Sequence, residues 1–168
     1  MNKMVMCPGC GLILPSTEEQ LDERDHASSA CRQVYDQLSA YTLSLQDVDF
    51  PHQFAVDTYA AQHAGTNLKP ITLTFALVGL YLACEHNYTG RQVQRAHMLL
   101  AKTPKQWPSF RLPDTKATLS VLDVLNAPER ETKNRHAPTM GDLQGCCKVG
   151  NNMAKGGIKQ NLSSFRNG

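Results

Sequence analysis

The stretch Pro51 to Gly65, PHQFAVDTYAAQHAG, constrains this chain more than any other. A proline at a first helical position and a glycine at a C-cap bracket it with no breaker between, which predicts a helix of about four turns. Phe54 or Ala55, Val56, Tyr59 and Ala60 recur as an apolar stripe, and His52, Asp57 and His63 supply polar chemistry. At about 1.5 Å of rise per residue, His52 and His63 lie roughly 16 Å apart along a continuous helix. One small ion cannot take both. The rest of the chain has to decide which histidine faces a site.

Cys7-Pro8-Gly9-Cys10-Gly11 supplies the first clue. Pro-Gly turns the backbone tightly and the following glycine tolerates positive φ, so both thiolates can point to one side, as in a zinc knuckle. A redox dithiol of the thioredoxin type sits at a strand-to-helix junction, and no strand-like run of adequate length precedes Cys7. Ser28 and Ser29 are N-cap candidates for a helix running to about Leu43, with Cys31, Val34, Tyr35, Leu38 and Tyr41 or Thr42 at helical spacing. Cys31 falls in its first turn, where the positive end of the helix dipole favours thiolate.

The linker from Ser44 to Phe50 is short, so the two helices should form an antiparallel αα-hairpin. That geometry sets the start of the first helix beside the end of the second. His63, and not His52, then meets Cys31. Cys7, Cys10, Cys31 and His63 become a four-ligand set suited to tetrahedral Zn2+ and closed to substrate, which is the pattern of a structural site. His52 and Asp57, on diverging faces of one helix, are read as a helix-start contact with the preceding loop and a hydrogen bond to a neighbouring helix. The sharper alternative is a polar pocket lined by Asp57, Tyr59 and Gln62.

Downstream, Pro70 opens a helix to about His86 that is apolar on nearly every face, with Gly79 permitting close helix approach and Cys84 as a core thiol. Thr89 caps a further helix from Gly90 to about Lys102, with Val93, Ala96, Leu99 and Leu100 inward. The prolines of PKQWPSFRLP preclude regular structure, and Trp107 and Phe110 are expected to fold back over the bundle. A last helix is expected from Thr115 to Asn126. The fold class is therefore all-α, a bundle of about five helices with an N-terminal zinc knuckle. Residues 1–127 form the domain, and the glycine-rich, weakly apolar residues 128–168 form a disordered or loosely attached tail. Cys146 and Cys147 are adjacent, poor geometry for chelating one ion with both side chains, and are left out of the site.

The formal net charge of +2 is too small for a dedicated nucleic-acid binder. The N-terminal residues lack the apolar run and cleavage site of a secretory signal, which predicts a cytoplasmic protein whose six cysteines are ligands or free thiols rather than disulfides. The longest apolar run, Ile71 to Cys84, falls short of the roughly 20 residues that span a bilayer.

CPGCG at Cys7 to Gly11, SSAC at Ser28 to Cys31, HQFAVDTYAAQHAG at His52 to Gly65, ALVGLYLACE at Ala76 to Glu85 and LSVLDVL at Leu119 to Leu125 together resemble a family of small uncharacterised bacterial proteins, catalogued as a domain of unknown function. The resemblance covers about residues 5 to 127 and implies an all-helical domain whose polar signature includes these cysteines and histidines. It implies no activity. Members usually carry a histidine before LVGL, where this chain has Ala76, and continue past the LDVL helix into another helix with tryptophans, where this chain has its glycine-rich tail. Three functional readings follow. The first is a zinc-stapled interaction or regulatory module with a protein partner. The second is a metal-dependent hydrolase with three protein ligands, an open position for water, and Asp57 or His52 as general base. The third is weak nucleic-acid binding through the knuckle and tail.

Overall fold

The stretch from Pro51 folds as expected up to its last turn. In a computed structural model that describes residues 3–17, 26–102, 106–110 and 118–127, it forms a helix over His52–Gln62 with Pro51 as its N-cap. The helix does not reach Gly65. His63 leaves helical geometry at φ −105°, ψ 20°, while its backbone N–H still reaches the Tyr59 carbonyl at 3.0 Å. Its ring turns to a second partner, so Gly65 belongs to the following loop, where its carbonyl accepts from Leu68 N–H.

Five helices make up the bundle. In chain order they are α1 (Ser29–Ser44), α2 (His52–Gln62), α3 (Pro70–His86), α4 (Gly90–Leu100) and α5 (Val121–Leu125). Their ends follow local chemistry. Ser28 caps α1 and Thr89 caps α4, the latter in a reciprocal box with Gln92. Pro70 opens α3, and Asn87 closes it in the left-handed region at φ 54°. The expected helix from Thr115 is corrected: Ser120 is the N-cap of α5, Leu119 precedes it, and 115–117 lie outside the described residues. The expected tail from residue 128, and with it Cys146 and Cys147, also lies outside them.

One element was not expected. Met4–Met6 (β1) and Ile13–Pro15 (β2) pair as an antiparallel hairpin in the register Met4↔Pro15, Val5↔Leu14, Met6↔Ile13. Strands of three residues carry too little alternation to be read from sequence, and it is the cysteine turn between them that holds the register.

Helix α2 packs against α1, α3 and α4. It runs antiparallel to α1, because Thr42 near the end of α1 meets His52 at the start of α2, and Cys31 at the start of α1 meets His63 at the end of α2. The core divides along this helix. On one side Cys7, Cys10, Ala27, Cys31, Leu38, Tyr59 and Val121 pack together, and on the other Ala61, Ala64, Leu73, Ala76, Leu77 and Leu80 do so with Phe110 against them. Trp107 stacks edge-on against Phe75 with centroids 5.6 Å apart, so the aromatic loop does fold back over the bundle. Leu99 does not turn inward: it is 65% exposed, and the inner face of α4 carries Val93 and His97 instead. Cys84 departs from the expectation of a free core thiol: it is disulfide-bonded. No helix among the described residues is long and apolar enough to cross a membrane.

Candidate metal centre

The hairpin delivers two sulfurs. Cys7 follows β1, its N–H donates to the Leu12 carbonyl at 2.8 Å, and Gly11 N–H donates back to the Cys7 carbonyl at 2.9 Å. Gly11 sits at φ 84°, a conformation that favours glycine. These bonds fold Pro8 to Cys10 into a turn whose two thiols are both buried.

The third sulfur comes from the first turn of α1. Ser28 fixes it from two directions: its Oγ accepts from Cys31 N–H at 3.2 Å, and its own N–H donates to Cys7 Sγ at 3.4 Å. The nitrogen comes from the end of α2. The Tyr59 carbonyl can only accept, so His63 Nδ1, 2.9 Å away, carries the proton, and Nε2 is the nitrogen left to face Cys31 Sγ at 3.4 Å. The ring is further held by stacking on Tyr59 at a centroid separation of 4.0 Å, and Tyr59 stacks in turn on Tyr35 at 3.9 Å.

The structure thus brings Cys7, Cys10, Cys31 and His63 together, all buried, with their ligand atoms within 4.8 Å of one another. They lie close enough to hold a metal ion. Bonds of about 2.3 Å to sulfur and about 2.0–2.1 Å to nitrogen give a tetrahedron edges of about 3.8 Å between sulfurs and about 3.5 Å between sulfur and nitrogen. Cys10 Sγ and Cys31 Sγ are 3.7 Å apart, and Cys31 Sγ and His63 Nε2 are 3.4 Å apart. Two edges of the cluster therefore already match a tetrahedral ion.

The proton balance agrees. Hydrogen bonds from Cys10 and Cys31 hold the Cys7 thiol well below its ordinary range, while hydrogen bonds with Cys10 and Cys7, together with burial, hold Cys31 as a thiol. Burial alone would lower the pKa of His63, but its bonds to Cys10, Cys7 and the Tyr59 carbonyl prevail and push it up to about 9. Three sulfurs enclosed together need positive charge, and a divalent cation supplies what these protons otherwise provide.

A family of unknown function, DUF5946, matches residues 5–140. The chain belongs to that family. All four residues of the cluster fall inside the matched span, so the centre is part of the DUF5946 domain. No curated protein and no solved structure matches the chain.

The other polar residues of the α2 stretch of this DUF5946 chain go elsewhere. His52 Nδ1 is 2.8 Å from Thr42 Oγ1 on α1, and its ring also meets Phe50 edge-on with centroids 5.6 Å apart, so the expected contact with the preceding loop is present together with one to the neighbouring helix. Asp57 is bonded within its own helix, accepting from Gln53 Nε2 at 3.0 Å, and it faces α3 and α4. Gln62 Nε2 donates to the Leu119 carbonyl at 3.0 Å. Asp57 and Gln62 are thus bonded to different neighbours, while Tyr59 stacks on Tyr35 and His63. Two residues have supporting roles beyond those the sequence shows. Gly9 leaves the space that the His26 carbonyl and the His63 ring occupy, and Ser28, seen only as a helix cap, also serves a sulfur. His97 lies four residues beyond Val93 and shares its inward face, whereas the apolar stripe through Leu99 does not mark that face.

Proposed function

We propose that Cys7, Cys10, Cys31 and His63 hold one zinc ion in a closed, structural site, and that the chain is a small metal-stapled helical module serving interaction or regulation. The observation that carries this reading is the convergence of four buried ligand atoms from three separate segments, the hairpin, α1 and α2. Zinc suits three sulfurs and one nitrogen at tetrahedral spacing. With the ion in place, the hairpin is fastened to the helical pair, so metal binding and local folding are one event. Four protein ligands fill a tetrahedron and leave no place for an activated water, which favours this reading over a hydrolase. Protein partners suit a module of this kind better than nucleic acid, given a net charge of +2.

The test is metal quantification on the purified chain followed by zinc K-edge absorption spectroscopy. One ion per chain with three sulfurs and one nitrogen supports the proposal. An ion with fewer sulfurs and an oxygen ligand transfers support to the hydrolase, and absence of stoichiometric metal refutes both.

A further inference from the structure

A second polar cluster lies on the other flank of α2, where Asp57 meets α3 and α4. The Asp57 side chain is 4% exposed and that of His97 is 11% exposed. Gln53 Nε2 donates to Asp57 Oδ1 at 3.0 Å, but Oδ2 is buried without a hydrogen-bond partner among the described residues. The space for Oδ2 exists because position 79 is glycine: a Cβ there would collide with Oδ2 and lie 2.8 Å from Asp57 Cγ. The nearest cation candidate is His97, whose Nε2 is 4.0 Å from Oδ2. That nitrogen is already engaged. It lies 2.9 Å from the Phe75 carbonyl, which can only accept, so Nε2 bears a proton and spends it on α3. The Gln53 amide nitrogen is 3.5 Å from His97 Nδ1 and can only donate, so Nδ1 holds a lone pair. The bonding describes a neutral imidazole.

Among the described residues no positive charge then faces Oδ2. Of the groups on the packed elements, α2 presents the neutral Gln53, while His52 turns to Thr42; α3 presents Gly79 and the Phe75 carbonyl; α4 presents His97, while Arg91 covers the Phe50 ring and Arg95 is exposed. An enclosed carboxylate without a cation carries a desolvation cost of several kcal/mol, which a bound proton removes. We propose that Asp57 and His97 form a buried proton-binding site, with the proton on Asp57 at neutral pH, and that this proton makes the docking of α4 onto α2 and α3 depend on pH. Burial supports this by pushing Asp57 from 3.8 up to about 8 against the opposing bond from Gln53, and by lowering His97. The folded chain keeps a proton that the unfolded chain releases near 3.8, so stability from this group is present in acid, falls as pH rises toward about 8, and is level above that. Over that window the folding constant drops about tenfold per pH unit. The cluster makes no contact with the metal centre, so this inference stands apart from the zinc reading.

The test compares the metal-loaded full chain with Asp57→Asn by chemical denaturation from pH 5 to 9. The variant, neutral at every pH, should gain on the wild type by about tenfold per unit up to about pH 8 and then run parallel to it. A ratio that does not change with pH overturns the proposal. So does a variant that loses ground as pH rises; an ionised Asp57 paired with a protonated His97 would instead let the variant gain as the wild type loses that pair, and the next measurement separates this from a protonated Asp57. A second measurement needs no variant: the Asp57 carboxyl carbon shift of the folded wild type, followed by NMR, should titrate near pH 8, and a midpoint near 4 overturns the proposal even where Asp57→Asn does not fold. Hydrogen exchange of α4 amides, corrected for intrinsic rates, should rise over the same window in the wild type and not in a folded variant.

Discussion

Replacing Gly9 by alanine probes the metal centre through a single methyl group. Gly11 is the knuckle glycine at positive φ, and Gly9 is not among the positive-φ residues, so alanine suits its backbone and the substitution reports on space alone. A Cβ at position 9 would strike the His26 carbonyl and lie 2.5 Å from His63 Cδ2, where ordinary contact begins at 3.4 Å. The imidazole must therefore retreat by about 0.9 Å, or the hairpin must lift by as much. Neither is free to do so cheaply, because the ring is bonded to the Tyr59 carbonyl and stacked on its ring, and Cys7 is bonded to Ser28. Metal–ligand distances tolerate about 0.2 Å, so the displacement exceeds the tolerance several-fold. Disturbing the orientation of one ligand costs a factor of 10–100 in metal affinity, about 1.4–2.7 kcal/mol. Stability of the metal-free chain is a poor readout, since Gly→Ala also stiffens the unfolded chain by about 0.4–1 kcal/mol with the opposite sign. The assay is competition for zinc against a chromophoric chelator, in the wild type and in Gly9→Ala. Gly9→Ala should weaken binding ten- to a hundredfold, because both the His63 ring and the His26 carbonyl stand in the way of its methyl group. Unchanged affinity refutes the reasoning.

Three further outcomes follow from named contacts. Ion binding must displace the His63 proton, held up to about pH 9, and the Cys31 proton, so affinity should rise about a hundredfold per pH unit near neutrality; calorimetry in buffers of different ionisation enthalpy should count at least two protons released, and none would defeat this account of the centre. Chelation should raise hydrogen exchange first in the hairpin, at 3–17, and in the opening turn of α1, while α3 amides remain protected; uniform loss of protection would show that the ion holds the whole bundle. Thr42→Val removes the oxygen that lies 2.8 Å from His52 Nδ1 and should cost about 1–2 kcal/mol by denaturant unfolding, with zinc affinity unchanged because His52 is at the far end of α2 from the cluster.

The helices were legible where a single residue carries the boundary. Ser28, Thr89 and Pro70 mark their helices from the sequence alone, because a cap or a fixed φ acts locally. The four-residue cluster was legible for a different reason: a short linker between two helices dictates which ends meet, and that choice selects His63 over His52. What failed to show depended on distant partners. The α2 helix stops at Gln62 because the His63 ring is drawn to sulfurs that lie more than thirty residues upstream, a tertiary constraint no local pattern encodes. Leu99 faces out and His97 faces in, where its ring is bonded to the Phe75 carbonyl on α3, a partner on another helix.

These two failures share a cause, and it says how the chain is built. Helix α2 is polar at three places that face three different ways: His52 toward α1, Asp57 toward α3 and α4, and His63 toward the hairpin. A helix read as amphipathic should have one apolar face and one wet one. Here each polar group is enclosed by a separate neighbour, so the helix has no outer side. Each contact also fixes a rotation and a height for α2, and three such contacts over the twelve residues from His52 to His63 leave the helix one position among its neighbours. The arrangement requires each partner to be exact in kind, a sulfur cluster for His63, a hydroxyl for His52 and a side-chain-free helix surface for Asp57. Gly79 is the clearest instance: in a helix interior glycine costs about 1 kcal/mol relative to alanine, yet a methyl there would collide with Asp57 Oδ2. The local cost is accepted so that α2 can lie where its end reaches the cysteines.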